Sequence, residues 1–329
     1  MLGKLPALLA AMTLLAACGG NDDASPTTAS PGESVVLYAE LDEQRAAALA
    51  AAYEADTGGG LLLVLDDGPA LLDVLRRKAD QPPADVLLLR GNEDLAAAVD
   101  EDLLRPIVDN PFAEFPGEPD GYWAPVGATV DLIVTAPSRE ALPDDIGYAD
   151  LAAAEYRGGL CLRRGALARS RSLVAHLLST LGARDAELAV RGWRANLAMS
   201  VFDDESSLVE AVARSECSVA IASSDAVARH RQEHGDLGAI YWPAQAWPHL
   251  LAAGVSRHAR EPDAGKAFVT WLTTASGQAA LHAAGYDYSP SAERRVDGLP
   301  ALGTIASDAA ASFWMHADAG RLIERARYR

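Results

Sequence analysis

Apolar and polar residues follow one another along most of this chain in blocks that predict strands followed by helices. The run "SVVLYAE" is β-rich, and "LDEQRAAALAAAYEADTG" has apolar residues at helical spacing up to a glycine. The pairs "GLLLVLDDG"/"PALLDVLRRKADQ" and "ADVLLLRG"/"NEDLAAAVDEDLL" repeat this order. Because strands and helices alternate with short loops, the pattern predicts an α/β fold with mostly parallel sheets flanked by helices.

The rest of the chain continues the alternation and then becomes mainly helical. "ATVDLIVTAP" and "PHLLAAGVS" are long extended stretches, while "GGLCLRR" and "CSVAIAS" are shorter predicted strands. Helices are expected near 172–181 and 183–197, in "EPDAGKAFVTWLTTASGQAALHAAG", and around 309–325. No internal repeat of fixed period occurs.

The N-terminus has the pattern of an export signal. "MLGKLPALLAAMTLLAAC" has one cation and then an apolar run, shorter than the roughly 20 residues of a membrane-spanning helix. We therefore predict a signal peptide over 1–17. Its ending resembles the bacterial lipobox, in which the cysteine, here Cys18, becomes lipidated; the alternative is a chance cysteine after an ordinary signal. Residues 18–33 are predicted to be a flexible tether. The signal peptide and the lipobox together predict a protein of the periplasm or cell envelope that is lipid-anchored to a membrane.

Composition narrows the classes of partner. The 329 residues carry a formal charge of −18, and half of them are apolar. So acidic a chain is a poor candidate for binding nucleic acid or anionic lipid, since both are bound through Lys and Arg. We expect no nucleic-acid partner and contact with the membrane only through the N-terminal lipid.

Motifs for metal binding and catalysis are missing from the sequence. There is no CxxC, HExxH, GxSxG, P-loop or GxGxxG, and His230 and His234, spaced as HxxxH on a predicted helix, have no matching carboxylate motif. We therefore predict no metal, no cofactor and no enzymatic activity. Cys161 and Cys217 lie in apolar, strand-like runs, and an exported protein can keep a disulfide between them. Two buried free thiols are the alternative.

Six segments together resemble a known family. These are "VVLYAELDEQRAAALAAAYEADTG", "LLDVLRRKADQPPADVLLLRGNEDLAAAVDEDLLRPI", "YWAPVGATVDLIV", "LVEAVARSECSVAIASSDAVARHRQE", "DAGKAFVTWLTTASGQAAL" and "YDYSP". In order and spacing they are similar to the periplasmic substrate-binding proteins of ABC importers, in the class that includes the ferric-ion-binding proteins.

The resemblance implies a type 2 two-lobed fold with the ligand between the lobes. Lobe one would combine 34–132 with 252–329, and lobe two would be 133–251, with crossing strands joining them. Such proteins close like a hinge on a small-molecule ligand and deliver it to a membrane permease served by an ATPase. A monomer is expected.

The iron ligands of that class have no counterpart here. The class holds ferric ion with a histidine, a glutamate and two adjacent tyrosines. Aligned through the flanking residues, these positions fall on Asp42, Arg90, Asp225 and Ala226. None keeps its type, and an arginine would repel the cation. The alignment therefore argues against iron binding in the usual geometry of the class.

A cluster of arginines is the main candidate for binding an anion. It lies in "LRRGALARSRSLVAH" and consists of Arg163, Arg164, Arg169 and Arg171. A helix is predicted to begin just after it, and helix N-termini and arginine forks both favour carboxylate or phosphate. Ser170 is expected to assist. The alternatives are a solvated loop or a loop that docks the permease.

Other candidates lie in turns or in a crossing strand. Arg90 follows an apolar strand, so it is expected at that strand's carboxyl end, where α/β proteins bind ligands. Asp42 and Asp67 occupy similar turns, with helix capping as the competing role. Asp131 stands in a crossing strand, where related proteins often carry arginine.

The turn in "IASSDAVARH" supplies the last two candidates. Ser224 is assigned mainly to helix capping, and Asp225 to capping or to ligand contact. With the other candidates they give a cleft with both signs of charge, which favours a small polar anionic or zwitterionic ligand. Two alternatives stay open: ferric iron or another metal held by carboxylates, and a sensor or assembly module on the same fold.

Overall fold

The structure is a computed structural model. It describes residues 34–77, 83–107, 120–235, 237–282, 288–289, 298–301 and 315–329. The predicted signal peptide, Cys18 and the tether lie outside the described residues.

The strands form where the sequence has continuous apolar or β-branched runs. They are β1 Ser34–Ala39, β2 Gly60–Leu65, β3 Val86–Arg90, β4 Leu104–Arg105, β5 Trp123–Thr135, β6 Leu160–Cys161, β7 Val219–Ser223, β8 Ile240–Tyr241 and β9 Pro248–Ser256. Every residue of β5 and of β9 is buried, which fits strands covered on both faces.

The helices follow the strands in the predicted order. They are α1 Glu43–Thr57, α2 Gly68–Arg77, α3 Asn92–Asp100, α4 Ala168–Asn196, α5 Glu205–Ala213, α6 Ser224–Glu233, α7 Pro262–Leu272, α8 Ala275–His282 and α9 His316–Ala326. The two helices predicted in the middle of the chain are the two halves of α4, which bends at Gly182 with φ 78°.

Pairing of the strands produces two arrays that share β5. β1 pairs in parallel with β2 and β3, β3 pairs antiparallel with β9, and β9 pairs antiparallel with the first part of β5. From Asp131 to Thr135, β5 pairs instead with β7, and β7 pairs in parallel with β6. The predicted two-lobed α/β fold is confirmed, but the sheets are mixed rather than mostly parallel, because five pairings among the described strands are antiparallel and three are parallel. We call the side of β1, β2 and β3 lobe one and the side of β6 and β7 lobe two.

Strand β5 changes sheets beside a fully buried carboxylate. Its pairing with β9 ends at Val130, opposite Pro248, and its pairing with β7 begins at the next residue, Asp131. Earlier in the strand the register shifts between Pro125 and Gly127, because proline has no N–H to give to the ladder.

The C-terminal helix packs differently from the expected division of the chain, which put 252–329 in lobe one. Helix α9 buries Ala319, Leu322 and Ile323 in an apolar cluster with Leu173 and Trp193 of α4, which belongs to lobe two. Helices α7 and α8 do pack in lobe one, against the cluster that contains β1 and β3. The apolar face of α9 could be buried against either lobe. The sequence pattern alone therefore does not predict which lobe the helix packs on.

A disulfide joins Cys161 and Cys217, whose Cα atoms are 5.8 Å apart. It ties the end of β6 to the residue that leads into β7, so it reinforces the short outer strand of lobe two. Among the helices in the described ranges, none combines the length and the apolar character needed to cross a bilayer.

Candidate functional site

A cleft of about 380 Å³ lies between the two lobes. Its lobe-one wall is lined by acidic side chains and one arginine, and its lobe-two wall by the first turn of α4. The titratable lining residues are Glu40, Asp67, Arg90, Glu93, Asp94, Arg169, Arg171 and His249.

Two adjacent parallel strands position the centre of the acidic wall. Glu40 follows β1 and Arg90 ends β3, and these strands are paired, so their carboxyl ends meet at one edge of the sheet. The backbone N–H of Arg90 donates to Glu40 Oε2 over 3.0 Å. This bond turns the Glu40 side chain across the strand ends rather than into solvent.

Glu40 and Asp94 form a close carboxylate pair around Gly68. A Cβ built on Gly68 would lie 2.4 Å from Asp94 Oδ2 and 3.2 Å from Glu40 Oε2, so only glycine leaves both carboxylates their places. Burial raises the pKa of Glu40 to about 7, against the hydrogen bond and attraction of Arg90. Burial, together with the charges of Glu93 and Asp67, raises the pKa of Asp94 to about 6. Near neutral pH the pair is poised to hold a proton or a cation.

The opposite wall presents positive charge. Helix α4 begins at Ala168, and its N-cap, Leu167, offers no side-chain acceptor, so the first N–H groups of the helix are left to other partners. Arg169, Arg171 and Ser172 of that first turn line the cleft. Within the described part of the chain, Arg171 is half-buried and has no ion-pair partner.

Asp131 lies beneath this wall, fully buried, and gathers three side chains. Its Oδ1 accepts from Arg163 at 2.9 Å and from Arg169 at 2.8 Å, and its Oδ2 lies 3.4 Å from His249 Nε2. Burial alone would raise the pKa of Asp131, but attraction to Arg163 and Arg169 holds it well below the usual range. The carboxylate is therefore charged and fully committed inside the protein.

The partners of Asp131 are fixed from other directions as well. Arg169 also donates to Thr129 Oγ1 over 2.9 Å, and Arg163 to Glu205 Oε1 over 2.5 Å. Burial, followed by repulsion from Arg169, lowers the pKa of His249 to about 4, so its imidazole is neutral at neutral pH. Arg169 thus reaches the cleft, with its side chain 20% exposed, as a rigidly held guanidinium.

The structure brings four of the predicted site residues to the cleft: Asp67, Arg90, Arg169 and Arg171. Asp67 accepts from the backbone N–H of Ala70 over 2.9 Å, so it also serves the first turn of α2.

Other predicted residues have structural work elsewhere. Asp42 caps α1 by accepting from the Arg45 N–H at 2.8 Å, and it lines a neighbouring depression rather than the cleft. Arg164 is exposed and paired with Asp203 at the surface, where its Nη2 lies 2.7 Å from Asp203 Oδ2. Ser170 is buried and does not line the cleft.

The turn before α6 also departs from expectation. Ser223, not Ser224, stands at the N-cap, and its side chain makes no capping bond. Ser224 Oγ accepts from the Val130 N–H over 3.0 Å, because it lies buried against β5 where that strand changes partners. Asp225 pairs loosely with Arg229, one turn along the same helix, at 3.9 Å, and does not line the cleft.

Sequence reasoning missed Glu40, Glu93, Asp94 and His249. Glu40 carried a usable signal, because it ends the run "SVVLYAE" as Arg90 ends its own strand. Glu93 and Asp94 open a helix, where acids are common for reasons unrelated to ligands. Nothing local to His249 indicated that it faces the cleft.

No three histidine, cysteine, aspartate or glutamate side chains are placed to hold a metal ion in the ranges that the structure describes. The four positions aligned with iron ligands do not converge either. Of Asp42, Arg90, Asp225 and Ala226, only Arg90 lines the cleft.

Comparison with known proteins adds to this geometry. A family model described as bacterial extracellular solute-binding protein matches residues 43–287. The chain is 23% identical over 312 residues to Iron uptake protein A1 of Synechocystis, a match covering 89% of this chain and 85% of the relative.

Three solved structures have a similar fold. A Bordetella ferric binding protein superposes with a TM-score of 0.80 at 22% identity, covering 90% of this chain and 99% of its own. Trichodesmium IdiA (FutA), in complex with iron and citrate, gives 0.78 at 20% identity, with 90% and 100% covered. AfuA of Actinobacillus pleuropneumoniae, with bound fructose-6-phosphate, gives 0.67 at 15% identity, with 91% and 100% covered.

Proposed function

Because the chain belongs to the family of bacterial extracellular solute-binding proteins, we propose that it holds a small polar ligand in the interlobe cleft for an ABC importer. The ligand carries an anionic group, alone or together with a cationic group. One observation carries this proposal: an arginine wall faces an acidic wall across a single cleft.

The anionic group would bind at the first turn of α4. Arg171 offers a guanidinium without an ion-pair partner among the described residues, Arg169 adds the exposed part of its own, and the uncapped helix N–H groups point the same way. Hydrogen bonds from guanidinium to carboxylate or phosphate are charge-assisted and frequently bidentate. The helix dipole adds to this attraction.

The opposite half of the ligand would meet Glu40 and Asp94. Burial raises the pKa of Glu40 to about 7 and that of Asp94 to about 6, so near neutral pH these two carboxylates favour a shared proton or a bound cation. An ammonium group satisfies both, as would any donor-rich cationic group. A zwitterion, such as an amino acid or a related amine, therefore complements both walls.

The surroundings of this function follow from the N-terminus and from the family. We propose that Cys18 is lipidated and anchors a monomer in the periplasm or cell envelope. Its partners would be a membrane permease and the ATPase that drives it. The cleft would open at the permease and release the ligand to it.

A second candidate is ferric iron with a bound anion. It is favoured by the iron-related names of the relatives, one of them with citrate as a ligand, and by the two carboxylates of Glu40 and Asp94 around Gly68, to which the anion would add the remaining ligands. Carboxylate oxygens suit a hard cation. An anion such as citrate would then bridge from the metal to Arg171.

Thermal-shift measurements distinguish the two candidates. The panel is amino acids, phosphorylated sugars, inorganic phosphate, citrate, ferric iron, and ferric iron with citrate, applied to the wild type and to Arg171→Gln. We expect stabilisation of the wild type by a small organic anion or zwitterion without iron. Loss of a charge-assisted contact in Arg171→Gln should weaken its apparent affinity about 10- to 100-fold.

Arg164→Gln is the matched control, since Arg164 belongs to the same arginine cluster but pairs with Asp203 outside the cleft. It should bind like the wild type. Stabilisation by ferric iron alone, equal in the wild type and in Arg171→Gln, contradicts the proposal and supports the second candidate without its anion. Stabilisation only by ferric iron with citrate supports the second candidate in full.

A further inference from the structure

The C-terminal helix contacts both walls of the cleft. Its apolar face belongs to lobe two, where Leu322 and Ile323 pack with Leu173 and Trp193. Its two ends carry the polar contacts described below. Together these make α9 a physical link between lobes, in addition to strands β5 and β9.

Tyr328, two residues beyond the C-terminal end of α9, holds the segment that leads into α4. The hydroxyl of Tyr328 donates to the backbone oxygen of Arg163 over 2.5 Å, and the ring lies edge-on to Trp193 with centroids 6.4 Å apart. Gly165 is pressed against the same residue, since a Cβ there would lie 2.3 Å from the Tyr328 backbone oxygen. Tyr328 is buried, so this contact fixes the approach to the arginine wall.

The N-terminal end reaches the other lobe. His316 Nδ1 lies 2.8 Å from Glu93 Oε1, and the two side chains are 14% and 26% exposed. Glu93 stands in the first turn of α3, in lobe one, and lines the cleft. This pair therefore joins the acidic wall to a helix that is anchored on the arginine wall.

We propose that α9 is a strap between the lobes and that the His316–Glu93 pair favours the lobe arrangement described here over one with a wider, more open cleft. Bending of β5 and β9 where they cross between the lobes would separate His316 from Glu93, because one moves with lobe two and the other with lobe one. Breaking the pair removes one contact that holds the lobes in the arrangement described here. The proposal does not depend on which ligand the cleft holds.

Single-molecule Förster resonance energy transfer, which measures the distance between dyes on the two lobes, tests the proposed role of the His316–Glu93 pair without any ligand. Two exposed leucines, Leu62 on β2 of lobe one and Leu188 on α4 of lobe two, are replaced by a non-natural amino acid that carries the dyes. In this labelled protein, Glu93→Gln and His316→Gln should each shift the population toward the longer distance. For a contact between two partly exposed polar side chains the open-to-closed ratio should rise up to about fivefold.

The double variant makes the test specific. If the effect of each side chain comes from its contact with the other, the double variant Glu93→Gln, His316→Gln should shift the open-to-closed ratio no further than either single variant. Asp318→Asn is the control: it lies on α9 but pairs with Arg321 of the same helix, so it should leave the ratio unchanged. An unchanged ratio in both single variants, additive effects in the double variant, or an equal effect of Asp318→Asn each overturns the proposal.

Discussion

At the scale of single residues, the two sides of the cleft treat carboxylates differently. The acidic wall disfavours the ionised form of Glu40, whereas the arginines of the opposite wall stabilise the ionised form of Asp131 beneath it. Glu40 has a raised pKa because it is buried beside Asp94 with a single backbone donor. Asp131 has a lowered pKa because two guanidinium groups face it. The same chemical group therefore performs opposite tasks on the two sides of the cleft.

The raised pKa of Glu40 predicts how stability changes with pH. A carboxyl whose pKa rises on folding holds more protons in the native state, so its contribution is greatest at low pH. That contribution is lost as pH rises from about 4 toward 7. Glu40→Gln should remove this loss. The difference in the free energy of unfolding, variant minus wild type, should then be about 1–3 kcal/mol larger at pH 8 than at pH 5. The variant is therefore relatively more stable at the higher pH.

Urea denaturation at both pH values measures this difference. Glu43→Gln, an exposed carboxyl on the nearby helix α1, is the control and should show the same difference from the wild type at both values. A wild-type stability that rises from pH 5 to 8 by the same amount as that of Glu40→Gln would contradict the assignment.

The buried Asp131 predicts a large effect of substitution. Asp131→Asn leaves Arg163 and Arg169 with one partner charge fewer in a dry environment, so the free energy of unfolding should fall by about 3–5 kcal/mol. Asp203→Asn removes the partner of exposed Arg164 and should cost less than about 1 kcal/mol. Similar losses in the two variants, compared by urea denaturation, would show that Asp131 has no special role.

At the scale of elements, local pattern predicted strands and helices well because each run was long and strongly periodic. It also placed Arg90 at a strand end. It did not predict the contacts of Asp131, Ser224 or His249, whose partners lie far away in sequence: Arg163 is 32 residues from Asp131, and Val130 is 94 from Ser224. Contacts of this kind depend on how elements pack, so residue spacing carries no trace of them.

The disulfide predicts a stability difference for lobe two. A bridge that closes 56 residues restricts the unfolded chain, and its removal should cost about 2–4 kcal/mol. The double variant Cys161→Ser, Cys217→Ser should therefore unfold at lower urea than the oxidised wild type. Reduced wild type should behave like the variant, and equal midpoints for all three would contradict a native bridge.

At the scale of the whole molecule, the lobes share more than their crossing strands. One continuous apolar cluster includes Tyr38 and Leu71 of lobe one and also Val209 and Ala220 of lobe two, joined through β5 residues such as Val130. Loss of either lobe would expose part of the other's core. The lobes are therefore expected to unfold together.

Calorimetry tests this expectation. A single transition whose calorimetric enthalpy equals its van't Hoff enthalpy is predicted for the oxidised protein. Two resolved transitions, or separate midpoints from probes placed in each lobe, would show that the shared cluster does not couple them.

For the anionic ligand proposed above, the network beneath the arginine wall predicts the charge that the cleft accepts best. Arg163 and Arg169 carry two positive charges, and Asp131 and Glu205 cancel both, so the four groups are formally neutral. Among the described residues of that wall, Arg171 is the one left with uncompensated charge. A singly charged carboxylate or phosphodiester is neutralised there, whereas a dianionic phosphomonoester would bring one charge too many into a closing, partly dry space.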